Sequence, residues 1–284
     1  MRYCLKSSLY LFPILLVISL MLSFVFANEV KEYFMDFEQY TDGPLVKNNS
    51  LYRHGHDIVP EVISTDSSSF SDYFPLGSKS LSFELDGEHL AYIIFYPQIP
   101  VSKNPVISFD LKAIEGEIDP YFWIKGKKIN EEDKDNVTIL EVRFRENKFV
   151  LTYSDPNDRT DVIVPIEIEY DRWYNFKLLF KGEQDPKKRM CYDFELTPHG
   201  GETFVLKDLM SREFEILNID NFFIYGNRTK DPIGQILFDN IVVAAQDFGK
   251  GTLVNIESPE IFGDGEHEGE ITLIVTDGLG TVGA

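Results

Sequence analysis

The chain has 284 residues, 47 of them acidic and 27 basic, for a formal net charge of -20. Hydrophobic residues make up 43% and aromatics 14%, with 23 Phe and 14 Tyr, which is too apolar for a disordered acidic polymer. The charge argues against a nucleic-acid partner, because a chain this acidic repels a phosphate backbone.

Residues 1–27 read as a secretory signal peptide. Arg2 and Lys6 supply the positive start, Leu9 to Phe26 is an almost unbroken apolar run, and Val25-Phe26-Ala27 offers a cleavage site. An uncleaved membrane anchor is the other reading, since the run approaches the roughly 20 residues that span a bilayer. Either way the chain is expected to be exported, secreted or held at the cell surface. After cleavage no membrane span is expected. Cys4 lies in the leader and Cys191 stands alone after it, so neither an internal disulfide nor a Cys/His zinc framework is expected.

From residue 28 onward, apolar and polar residues alternate with period two, the signature of half-buried strands. The segments in chain order are Tyr33–Glu38, Ser80–Leu85, Leu90–Tyr96, Val106–Lys112, Tyr121–Lys125 and Thr138–Arg145. They continue with Lys148–Tyr153, Val162–Glu169, Trp173–Phe180, Met190–Leu196, Phe222–Tyr225 and Gln235–Ala244. Breakers between them include Asp86-Gly87, Gly116, Gly126, Asp155-Pro156, Asp185-Pro186, His199-Gly200-Gly201 and Asp231-Pro232. One helical turn is expected near Lys207–Arg212. The fold class is therefore all-β: a two-sheet antiparallel jelly-roll sandwich over residues 28–248.

Parity assigns the faces. Leu140, Val142 and Phe144 point one way, against Ile139, Glu141, Arg143 and Arg145. Met190, Tyr192, Phe194 and Leu196 likewise share a core face. Trp173, opening a strand with Phe176 and Leu178, is expected to pack. Composition shifts at Gly249-Lys250-Gly251. Residues 255–284 hold seven acidic residues and no basic one, in a short β remnant too small to fold alone.

Three stretches and one strand start carry a resemblance. They are Phe34-Met35-Asp36-Phe37-Glu38 with Gly43, Gly77-Ser78-Lys79-Ser80-Leu81, Ile236-Leu237-Phe238-Asp239-Asn240-Ile241-Val242-Val243, and Asp171-Arg172-Trp173-Tyr174-Asn175-Phe176-Lys177. Their order resembles the concanavalin A-like lectin/glucanase jelly rolls, laminin G-like modules included, over roughly residues 32–246. The tail, from Val254-Asn255-Ile256 to Val282, resembles the start of a bacterial Ig-like repeat. That likeness suggests further modules of a larger surface protein.

The resemblance implies a structural calcium joining the first and last strands, at Glu38 and Asp239 with carbonyls near Gly43 and Ser78. It also implies where a glycoside hydrolase would place its carboxylates, as Glu-x-Asp-x-x-Glu on one strand. Here Glu117 and Asp119 match, but the last position is Phe122 and Pro120 interrupts. A lyase would need a Tyr or His base beside uronate-neutralising side chains. Arg143, Arg145 and Tyr153 are the right types but lack a completing strand.

Sugar binding needs aromatic faces and a few planar polar groups. Tyr121 and Trp123 share one strand face with Lys125, and Glu141 and Arg143 fit the same outward face. Tyr92, Ile94 and Tyr96 form a second stripe, expected in the core. Asn48, Asn136 and Asn227 sit in Asn-x-Ser/Thr triplets. The leading expectation is a secreted or cell-surface, non-catalytic recognition domain for a polysaccharide or surface glycan. The alternatives are a polysaccharide-degrading hydrolase or lyase with a diverged site, and a structural spacer of a larger surface protein.

Overall fold

The structure, a computed structural model, describes residues 32–45, 52–54, 59–66, 77–128, 136–154, 159–184 and 189–246. The leader, the acidic tail with its Ig-like likeness, Asn48 and the breakers at 155–156 and 185–186 lie outside the described residues.

The strands in chain order are β1 (Tyr33–Met35), β2 (Gly43–Pro44), β3 (Tyr52–His54), β4 (Glu61–Ser64), β5 (Lys79–Asp86) and β6 (Tyr92–Phe95). They continue with β7 (Ile99–Pro100), β8 (Pro105–Gly116), β9 (Tyr121–Lys128), β10 (Val137–Arg145), β11 (Lys148–Ser154) and β12 (Arg159–Glu167). The last five are β13 (Trp173–Gln184), β14 (Arg189–Pro198), β15 (Phe204–Phe214), β16 (Ile216–Tyr225) and β17 (Ile233–Ala245). One 3-10 turn, Val101–Lys103, is the only helical element among the described residues.

Two sheets result, and every strand pairing within them is antiparallel. The first runs β15-β14-β13-β8-β17-β5-β4-β2, with β1 also on β17. The second runs β12-β11-β10-β9-β16-β6-β3, with β7 also on β16. The chain is thus a jelly-roll sandwich, as the alternation requires. Among the described residues no helix is long and apolar enough to cross a membrane.

Inward residues of both sheets form one core. Phe109 lies at its centre, with ring centroids 4.7 Å from Phe122, 4.7 Å from Phe176, 5.9 Å from Phe238 and 6.0 Å from Phe222. These are tilted, stacked and edge-on contacts, the geometries that ring quadrupoles favour. Trp173 is buried too, but on the outer side of β13, with the Lys112 ammonium 5.8 Å from its ring centroid.

Three local expectations are corrected. Lys207–Arg212 is not a helical turn but the middle of β15. Asp208 sits at φ 58, and the β14–β15 register shifts between Tyr192 and Phe194. The extra residue leaves Leu206 and Leu209, partners of Phe194 and Tyr192, three apart instead of two. Gly126 is not a break but lies inside β9. Ile139 is not outward: a register shift between Thr138 and Leu140 turns it into the core. The two are coupled, because a Cβ on Gly126 would stand 2.7 Å from Ile139 Cδ1 and 2.1 Å from Asn218 O.

Candidate functional site

The strands β6, β16 and β9 lie side by side, and their outward residues are half-buried while their inward neighbours are core. Register sets Tyr225 opposite both Tyr92 and Tyr121, and Phe223 opposite Trp123. Five aromatic rings therefore tile one outer face. Centroids are 5.3 Å for Tyr92–Tyr225, 5.5 Å for Tyr121–Tyr225, 6.0 Å for Phe223–Tyr225, 5.3 Å for Trp123–Phe223 and 6.3 Å for Tyr121–Trp123. The Trp123 indole is fixed in its plane by Nε1 donating to Thr138 Oγ1 at 3.0 Å.

Polar groups border the tile. Glu141 is registered opposite Trp123, so its side chain stands beside the indole. Arg143 donates to Glu141 Oε2 at 2.8 Å, and Arg212 donates to Glu141 Oε1 at 3.0 Å. Arg212 comes from β15, a strand of the other sheet. The hydrogen bond that Arg143 itself makes to Glu141 raises the Arg143 guanidinium above its ordinary value. Lys125 places its ammonium 3.6 Å from the Trp123 centroid, and the Arg228 guanidinium stands 5.6 Å from that of Tyr121.

Burial, with the Glu141 charge adding to it, pushes the Tyr121 phenol up to about 12, against the opposing pull of Arg228 and Arg143. Burial also raises Tyr225, with Tyr92 adding to it. These phenols are therefore neutral donors at any physiological pH.

At one end the tile adjoins a cleft of about 470 Å³ whose walls include Asp119, Phe144, Arg145, Tyr170 and Thr229. Burial raises the Asp119 carboxyl above its usual range, opposed by the nearby Arg228. Asn227 shapes this end. Its fully buried carboxamide accepts from Ala91 N at 2.8 Å and donates to His89 O at 2.9 Å and Thr229 O at 2.8 Å. That triplet is thus closed to glycosylation in the folded chain. Asn136 is half-buried and donates to Asp220 Oδ2 at 2.7 Å.

The structure brings Tyr121, Trp123, Glu141 and Arg143 together on one outward face. Sequence reasoning missed Tyr225, Phe223, Arg212 and Arg228, and put Tyr92 in the core. Only the alternation of Phe223 and Tyr225 within Phe222–Tyr225 hinted at any of them. Glu117 and Asp119 lie in the turn between β8 and β9, and Phe122 points into the core.

Glu38 and Ser78 do meet, but through amides. Glu38 Oε1 accepts from Ser78 N at 2.5 Å and Lys79 N at 2.6 Å, and Ser78 O accepts from Thr65 N at 2.7 Å. Asp239 is buried and takes the Asn240 amide at 2.7 Å. Amide N–H groups are donors a cation cannot use.

No family model matches the chain, and no curated protein matches it. Solved structures similar to it include the marine PL-14 alginate lyase from Aplysia kurodai, at 12% identity and TM-score 0.49, covering 77% of this chain and 100% of that one. An endo-β-1,4-glucuronan lyase from Trichoderma reesei matches at 12% identity and TM-score 0.44, covering 73% and 96%. Peanut lectin matches at 10% identity and TM-score 0.40, covering 76% and 99%. What those proteins bind or cleave is theirs.

Proposed function

We propose that the outer face of the second sheet is a carbohydrate-binding surface of an exported, non-catalytic recognition protein. One observation carries this reading: five half-buried rings from three adjacent strands form a continuous tile, bordered by guanidinium and carboxylate groups. Such rings offer flat apolar surface to the C–H faces of pyranoses, and the planar ionic groups suit hydroxyls. Core packing does not account for the tile, since the rings face away from the Phe109 cluster. Both Glu141 oxygens are taken by arginines, an arrangement suited to holding a ligand rather than to exchanging protons with it.

A glycan array with the full exported chain tests the reading, together with calorimetry on hits. Binding that Tyr121→Ala or Trp123→Ala weakens is the expected result. An array with no hit would overturn it. Release of reducing ends from a polysaccharide panel, abolished by Glu141→Gln, would replace the non-catalytic part with an enzymatic one.

A structural calcium at Glu38 and Asp239 is a separate proposal, supported by the family resemblance and by the burial of Asp239. It predicts a melting temperature that rises with added calcium and falls with chelator. Indifference to both removes it.

A further inference from the structure

The cleft at the end of the tile is walled by separate segments that backbone hydrogen bonds tie down. The turn between β8 and β9 is joined to the segment that links β16 to β17. Glu117 N donates to Ile233 O at 2.9 Å, and Arg228 N donates to Asp119 O at 2.8 Å. The buried Asn227 carboxamide fixes the start of that linking segment. Another wall is the β10–β11 hairpin turn, where Glu146 and Asn147 sit at φ 50 and 58, the tight turn that matches the twist of paired strands. Asn147 O accepts from Ile168 N at 2.7 Å, and the Tyr170 hydroxyl donates to Gly116 O. The cleft is therefore preformed, and its volume of about 470 Å³ is in the range of small-molecule sites. A preformed site loses little on ordering when it binds.

The same segments carry the end of the tile. Tyr121 follows Asp119 by two residues, Thr229 follows Tyr225 by four, and Asp119 and Thr229 both line the cleft. Arg228 spans the junction: its amide is on Asp119, and its guanidinium stands 5.6 Å from the Tyr121 centroid. The flat tile suits consecutive units of a chain laid along it. A unit inside the cleft has walls around it. An interior unit would need a second opening for the sugar that follows, whereas a terminal unit needs only one. Glu117, Asp119, Glu146 and Asp231 outnumber Arg145 on the walls, which disfavours a negatively charged sugar there.

Resting on the glycan-binding reading, we infer that the cleft takes the terminal unit of a glycan chain whose neighbouring units lie on the tile. The ligand class is a chain end that carries a pyranose without negative charge. The reducing and non-reducing ends are the two sources of such a unit.

The test is calorimetric titration of the full chain with maltohexaose, cellohexaose and laminarihexaose. Each is used in its free form, reduced to the alditol, which opens the ring at the reducing end, and capped with an ethylidene acetal at the non-reducing end. One of the two modifications is expected to weaken binding of an oligosaccharide about tenfold, and the other to leave it within about twofold. Thr229→Trp and Arg145→Trp fill the cleft from different walls. Each is expected to bind the free form no more tightly than the wild type binds the sensitive modified form, and to ignore the modification. Ser102→Trp, at an exposed site in the turn Val101–Lys103 before β8, is expected to behave as the wild type.

A wild type that binds all three forms alike, or loses equally from both modifications, overturns the terminal-unit site and leaves the glycan reading standing. So does an end preference that survives in either folded filling variant, or one that Ser102→Trp also abolishes. Binding of no oligosaccharide in any form overturns both.

Discussion

Tyr225 shares contacts with Tyr92, Tyr121 and Phe223, so it is the hub of the tile. Tyr225→Phe keeps the ring, and glycan affinity is expected to stay within about twofold. Tyr225→Ala is expected to weaken binding about tenfold, equivalent to about 1.4 kcal/mol, in the same titration. Because the Tyr121 phenol stands at about 12, affinity is expected to be flat from neutral pH into the mildly alkaline range. A second titration is local to the turn after β5. The Asp86 carboxyl is held down at about 2, first by the His89 side chain and then by the amides of Glu88 and His89. A folded value below the unfolded one stabilises above the unfolded value, near 3.9, and loses that effect as pH falls towards 2. Urea midpoints of wild type and Asp86→Asn are therefore expected to differ at pH 6 and to converge near pH 2. The residues legible in the sequence were those on one strand: Tyr121 with Trp123, and Glu141 with Arg143. Tyr92, Tyr225 and Arg212 join them only through register across strands and sheets, which no local spacing records.

Strands whose alternation ran unbroken for four or more residues were readable, β5, β8, β10, β13 and β14 among them. Those that were missed have physical reasons. The short strands β2, β3, β4 and β7 are two to four residues each, too short for a period to show. In β15 the irregularity at Asp208 mimics helical spacing. A glycine such as Gly126 reads as a break only while its neighbours are unknown. Here it clears room for Ile139 and for the β16 backbone. Gly126→Ala is expected to destabilise by about 1–3 kcal/mol through forced displacement, measured by denaturant unfolding. Because Gly126 lies one residue past Lys125, the substitution is also expected to weaken glycan binding.

At the scale of the whole molecule, one aromatic core joins the sheets. Phe109 contacts rings from both sheets, Phe122 and Phe222 on one side and Phe176 and Phe238 on its own. Phe109→Ala is expected to cost about 3–5 kcal/mol and to lower the unfolding midpoint without splitting the transition. The order of the strands has a consequence for synthesis. β16 and β17 are among the last parts of the described chain to be made, yet β16 sits between β9 and β6, and β17 between β8 and β5. A growing chain cannot close the middle of the second sheet before Tyr225 has left the ribosome, nor that of the first before Ala245 has. Each sheet stays in two halves until its central strand emerges, so the pairings that join the halves are long-range and come late.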